Sequence, residues 1–313
     1  MKGEFEIIQS DSIKSVNLLF NKIKYRSPHM HKEFELVYNL GCEAIFHVGT
    51  MRKSFQAGSY VIFNPNQVHE IEAAGQNPFM ICLQIAPEFF ENVAPYISYL
   101  EFDSFYLAKY ENDRLHKLMF ELSNAYLCQG EHYSLECAAL VYQIFKELLE
   151  EFPYHITTEL EKKSNEEKAL RLKRILRYAK NHYMEKISLK SLAKEENLSL
   201  NYLSRFIKEN LNRSFQEYIG ELRFNQAKYL IRNTNKSLLE ICQECGYSDY
   251  RYLYQVFMKH YECSPKQYRS LSVQEGAVAA PDSIETKLFR QEALEMIRDK
   301  MKLKTPTNIE VTK

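Results

Sequence analysis

Two stretches of this chain follow one plan, and that repetition limits the fold more than any other feature. Residues 188–211 read SLKSLAKEENLSLNYLSRFIKENL, and residues 237–261 read SLLEICQECGYSDYRYLYQVFMKHY. Each carries a serine, a short helix-periodic run, a tight turn, a second serine and another short run. The apolar positions fall in step, with Leu192, Leu203, Phe206 and Ile207 in the first copy and Ile241, Leu253, Val256 and Phe257 in the second. Such residues lock two short helices together and leave the second with a polar outer face, the arrangement of a helix-turn-helix.

The punctuation around these copies is helical throughout 169–270. Leu172, Ile175, Leu176, Ala179 and Tyr183 make an earlier stripe. Ser188, Ser199, Ser214, Ser237, Ser248 and Ser264 each precede a helical run and are expected to cap it. Ser214 with Glu217, Ser237 with Glu240 and Ser264 with Gln267 have capping-box spacing, in which each side chain bonds the other's backbone. Pro265 stands at a first helical position, where proline is best tolerated. Cys242 and Cys245 form a lone CxxC with no second pair or nearby His, which reads as small apolar core.

The 313-residue chain has no net charge, but its halves differ. Residues 168–270 hold 20 Lys and Arg against 10 Asp and Glu, whereas residues 1–150 hold 12 against 19. A basic half beside an acidic one fits a protein of which one half meets a polyanion. There is no apolar run long enough for a membrane span, the early acids of MKGEFEIIQSDSIK make a secretory leader unexpected, and seven cysteines in a chain this long fit reduced thiols. A cytoplasmic protein that makes no membrane contact is expected.

The first half reads differently. Residues 34–40, 44–48, 60–63 and 79–85 are short apolar or alternating runs between glycine and Asn-Pro turns, so a β-sandwich or barrel is expected. Helical spacing of Leu115, Leu118 and Leu122, and again of Leu140, Ile144 and Leu148, predicts a helix pair over 110–152. Pro153 and a charged run make 153–168 the expected linker. The division is therefore 1–152 sensor, 169–271 reader and 272–313 tail. In the tail, Leu288, Phe289, Leu294, Ile297 and Met301 could line an amphipathic helix with Ser283 as a cap, but a disordered or weakly docked appendage is the default.

The run EICQECGYSDYRYLYQVFMKHYECSPKQYR resembles the signature of the second helix-turn-helix in the AraC-type transcription regulators, and the resemblance covers about 170–270. Leu253 stands where that family commonly has an aromatic and Glu262 where it commonly has glycine. The resemblance implies base contacts at Asn201, Ser204 and Arg205 in the first copy and at Tyr250, Arg251 and Gln255 in the second. Arg can bond guanine O6 and N7 together, and Asn or Gln can do the same at adenine. Arg213, Arg223, Lys228, Arg232, Lys236, Lys259 and Lys266 are candidates for phosphate contact. The helix from Ser214 to about Arg232 is expected to space the two reading helices into successive major grooves of double-stranded DNA.

Upstream, HMHKEFE and GSYVIFNPNQVHE resemble the paired motifs of cupin barrels, at His29, His31, Glu35 and His69. Even offsets put His29, His31 and Glu35 on one face if the strand is unbroken. Three roles fit them: holding a metal for chemistry, lining a pocket for a small organic ligand, or serving as hydrogen-bonded core. The family resemblance favours the second, with Tyr38 and Phe46 as further pocket residues and with no metal or cofactor. The implied fold is α+β multidomain, a cupin-like barrel with a helical pair followed by an all-α domain. The implied protein is a regulator and not an enzyme: an activator that responds to a small molecule such as a carbohydrate, binds as a homodimer through the helical pair and meets RNA polymerase. The alternative is a metal-dependent cupin enzyme with a helical appendage.

Overall fold

The computed structural model describes residues 13–73, 75, 77–106, 113–272, 283–287 and 290–304. Seven strands of the first half form one antiparallel sheet: β1 (Val16–His29), β2 (Phe34–Asn39), β3 (Ala44–Val48), β4 (Met51–Phe55), β5 (Tyr60–Phe63), β6 (His69–Ala73) and β7 (Phe79–Ile85). Their order is β4-β3-β6-β1-β7-β2-β5. Strand alternation gives the sheet two apolar faces, since successive side chains point to opposite sides. Ile23, Val37, Phe46, Phe55 and Phe63 meet on one face. Phe34, Leu36, Tyr38, Ile81 and Leu83 lie on the other, under helices α1 (Asp113–Cys128) and α2 (Tyr133–Glu151).

That packing corrects the expected dimer seam. Leu115, Leu118, Leu122, Leu140, Ile144 and Leu148 are all buried within this one chain, against the sheet. Their periodicity marks a buried face, and here the sheet supplies the cover. The expected linker is also ordered. Strand β8 (Leu100–Phe102) pairs with β9 (Tyr154–Ile156), and Thr158 then opens helix α3 (Glu159–His182) with a capping box to Glu161. The charged run is the solvated first half of a helix, whose second half buries Leu172, Ile175 and Ala179.

Six further helices build the second half: α4 (Leu189–Glu195), α5 (Leu200–Leu211), α6 (Phe215–Asn233), α7 (Leu238–Glu244), α8 (Tyr250–Tyr261) and α9 (Pro265–Ser272). They hold two cores. Leu192, Leu203, Phe206 and Ile207 pack with α3 and the start of α6, while Ile241, Leu253 and Phe257 pack with its end. Cys242 and Cys245 are buried in the second core. The boxes at Ser214 and Ser237 close as expected, and Gln267 accepts from the Ser264 backbone at 2.8 Å.

The tail returns to the first half. Strand β10 (Ser283–Lys287) pairs with β1, so Ser283 begins a strand and caps no helix. Helix α10 (Arg290–Lys304) buries Ala293 and Ile297 against the sheet's outer core, and Lys22 bonds Glu292 at 2.8 Å. Leu294 packs against the same core. Leu288, Phe289 and the Met301 side chain lie outside the described residues.

Candidate effector site and DNA interface

Four of the residues singled out in the sensor converge. The β1 strand breaks after His29, so even spacing along one strand is not the cause. His69 pairs with His29 across β6 and β1, while Glu35 reaches the same place from β2, on the far side of β7. Curling of the sheet therefore brings them together. Nε2 of His31 and Nε2 of His69 lie 2.8 and 2.9 Å from one oxygen, Oε2 of Glu35. Gln84 donates to the other oxygen at 3.2 Å. Glu35 and His69 are fully buried.

Burial alone would push Glu35 up, but the charge and hydrogen bond of His31, with the bond from His69, hold it well below the usual carboxylate range. Burial opposes charge on His31, yet Glu35 and Glu33 raise it to about 9. Burial, with like charge from Arg26 and His69, holds His29 well below its ordinary value. Phe63 stacks on His69 at 4.0 Å between ring centroids, and Phe46 packs on Phe63, so Phe46 borders the cluster. Tyr38 does not. It lies at an odd offset from Glu35, on the opposite face, stacked on Tyr60 beneath His116 of α1.

The site adjoins the helical half. Met30 and Val68, the chain neighbours of His29 and His69, pack against the core that holds α5. Glu70 follows His69 and accepts from Nη2 of Arg213 at 2.5 Å, while Nη1 of Arg213 pairs with Glu221 of α6. Tyr25 donates to the same Glu70 at 2.9 Å. Burial opposes the charge of Arg213, but Glu70 and Glu221 outweigh it and raise its pKa. Neither Glu70 nor Gln84 carries a sequence signal for these roles; each needs the three-dimensional pairing to be seen.

The two helix-turn-helix units match in detail. Asn197 at φ +54° and Gly246 at φ +74° turn the chain between their helices. Asn212 and Glu262, both left-handed, end their second helices. The second turn is one residue longer, with residues 245–249 against 196–199. That shift makes Asp249 the cap of α8 in place of the expected Ser248, its side chain accepting from the Arg251 backbone at 2.7 Å.

Among the base-contact candidates, Asn201, Ser204, Arg205, Arg251 and Gln255 are exposed, and Tyr250 packs partly against the core. Aligning α5 on α8 pairs Asn201 with Arg251, Arg205 with Gln255, and Ser204 with Tyr254. Exposed Tyr254 therefore has the place that the sequence pattern assigns to Tyr250. Arg205 pairs with Glu209 at 2.7 Å and Arg251 with Asp249 at 3.0 Å, both on the surface.

The cations divide by environment. Lys236, Lys259 and Lys266 are exposed, Lys236 beside Glu244. Lys228 lies over the Phe224 ring, and Arg232 is half-buried. Arg223 is a structural tie, donating to the carbonyls of Tyr183 and Glu185 at 2.7 and 2.8 Å. Arg213 is the tie to Glu70. The structure thus gives these two arginines protein partners where phosphate contact was expected. Among the described residues, no helix is long and apolar enough to cross a membrane.

Residues 21–145 match the family model described as an AraC-like ligand binding domain, and residues 192–270 match one described as a helix-turn-helix domain. The chain is 23% identical over 265 residues to the uncharacterized HTH-type transcriptional regulator YdeC of Bacillus subtilis, covering 78% of this chain and 86% of that protein. It is 35% identical over 82 residues to the HTH-type transcriptional activator RhaR of Mannheimia succiniciproducens, covering 26% of this chain and 30% of that one. The likeness to RhaR thus spans less than a third of that relative. Among solved structures, the C-terminal domain of AraT, a response regulator from Geobacillus stearothermophilus, is 30% identical. That match covers 35% of this chain and 88% of the other, with a TM-score of 0.32.

Proposed function

Because the chain is an AraC-type DNA-binding transcription regulator, with an AraC-like ligand-binding domain ahead of its helix-turn-helix domain, we propose that it is an activator switched by a small molecule, a carbohydrate in the first instance. The carbohydrate rests on the resemblance alone. The observation that carries the DNA-reading half is the helix-for-helix match of the two units, each ending in a helix with a polar exposed face. Asn201, Ser204 and Arg205 read one major groove, and Arg251, Gln255 and Tyr254 the next, with Tyr250 at the edge of that contact. Lys236, Lys259, Lys266, Lys228 and Arg232 face phosphates.

His29, His31, Glu35 and His69, with Phe46 beside them, form the effector site. The effector acts by favouring one arrangement of the junction at Met30, Val68 and Glu70, since a ligand with equal affinity for both arrangements shifts nothing. Two copies bind one operator in the cytoplasm and meet RNA polymerase there. Their contact uses residues other than the buried helical stripe, and Leu135 and Tyr142 of α2 are exposed for it.

Selection of bound duplexes from a randomised DNA pool by the full-length chain, at about physiological salt, tests the reading. The expected product is a motif with two contacted patches about one helical turn, ~34 Å, apart. Failure to enrich any motif, with the full chain and with residues 159–272 alone, overturns it. Arg251→Ala should then cost about 1–3 kcal/mol at one base pair and relax the choice of base there. Equal weakening on every sequence would make Arg251 a phosphate contact.

A further inference from the structure

Helix α8 begins with a carboxylate where α5 begins with a hydroxyl. Ser199 caps α5 and accepts from the Tyr202 backbone at 3.2 Å, whereas Asp249 caps α8 and accepts from the Arg251 backbone at 2.7 Å. The matched side chains two residues on differ as well, Asn201 in the first unit and Arg251 in the second. A hydroxyl beside an amide forms no ion pair, but a carboxylate beside a guanidinium does. Nε of Arg251 donates to Oδ1 of Asp249 at 3.1 Å, and Nη2 donates to Oδ2 at 3.0 Å. Bonds from the Arg251 side chain and backbone hold Asp249 below its ordinary pKa, so it is charged at neutral pH.

A guanidinium carries five N–H groups in one plane. The pair with Asp249 uses two of them, on Nε and on the near side of Nη2. The remaining three, two on Nη1 and one on Nη2, form the end of the fork. The Arg251 side chain is 84% exposed, so that end is open to a ligand. It presents two parallel donors, which O6 and N7 of guanine accept together. Adenine shows an acceptor and a donor there and cannot take both. Asp249 thus fixes the plane of the guanidinium while it leaves the guanine-reading edge clear. It does so at the helix N-terminus, the end that meets base edges. Arg205 of the first unit is held differently, at Nε by Glu209 one turn further along α5, at 2.7 Å. A single bond lets the guanidinium plane turn.

We propose that Asp249 is a positioning residue that presents Arg251 end-on to one guanine, so that the second unit demands guanine at one fixed base pair. The proposal rests on Arg251 being a base contact. Ordering the fork before binding removes the freezing of a long side chain from the cost of association, and a base with two acceptors gains most from it.

The test uses the full-length chain and four duplexes built on the selected motif, differing only at the base pair that Arg251→Ala relaxes. Binding is read by fluorescence anisotropy at about physiological salt, and folding by thermal unfolding. Asn and Ser cap a helix about as well as Asp, so Asp249→Asn and Asp249→Ser keep the cap and remove the charged support. The unmutated chain should prefer guanine, and both variants should lower that preference over adenine roughly fivefold with the melting temperature unchanged. A guanine preference unmoved in both variants, while Arg251→Ala abolishes it, overturns the proposal and leaves the base contact standing. So does a preference of the unmutated chain for another base, or an equal change on all four duplexes. A selected motif in which Arg251→Ala relaxes no base pair sinks the base contact itself, and this proposal with it.

Discussion

Glu262 occupies the left-handed cap of α8 at φ +53°, where the resembling family commonly carries glycine. A β-carbon in that region costs about 1–2 kcal/mol, and glycine's freedom in the unfolded chain returns about 0.5–1 of it. Glu262→Gly should therefore stabilise the second unit by roughly 0.5 kcal/mol, read as a higher urea midpoint; a lower midpoint would show the Glu262 side chain to be a stabilising contact. Residues with a local signal of this kind are legible in the sequence alone. His29, His31, Glu35 and His69 stand out there because ionisable groups between apolar strand residues need a reason to be present. Tyr38 looks like their neighbour by proximity in the chain, although its odd offset from Glu35 sends it to the other face of β2. Gln84 and Glu70 give no signal, because each works through a partner more than 45 residues away in sequence.

Caps and turns decide where the reading helices begin, and a cap can also restrain a reading side chain. Asp249 accepts from the Arg251 backbone and pairs with its guanidinium through both carboxylate oxygens. Asp249→Ala should cost the second unit about 1 kcal/mol of stability, as a lost N-cap does, measured by thermal unfolding; Ser248→Ala should cost within about 0.5 kcal/mol, as a plain surface substitution does. Equal losses would return the cap to Ser248. The elements legible in the sequence are those with a clean period. Strands β2, β3, β5 and β7 are apolar or alternating, and α1 and α2 carry stripes. Strand β4 escapes notice because its sequence, MRKSF, is mostly exposed and polar. Strand β1 escapes it because Lys22, Lys24 and Arg26 interrupt its apolar positions. Periodicity reports that α1 and α2 have a buried face but not what covers it, and so it leaves open a partner subunit where the chain's own sheet fills that place.

At the scale of the whole molecule, the first reading unit is tied to the sensor by one guanidinium. Arg213 is held between Glu70 of the barrel and Glu221 of α6, beside Met30 and Val68 in the neighbouring core. A phosphate contact and an internal tie respond differently to salt. Each phosphate contact on duplex DNA adds about 0.9 to the slope of log affinity against log salt. Arg213→Met should leave that slope unchanged while it loosens the junction, seen as faster amide exchange in residues 25–30, 68–70 and 205–213. Lys259→Ala, at an exposed cation on α8, should lower the slope by about one and leave exchange at the junction alone. A fall in slope for Arg213→Met, with junction exchange unaltered, would mean that the guanidinium leaves Glu70 to meet DNA, and the sensor would then be coupled to the operator through release of this tie instead of through its persistence.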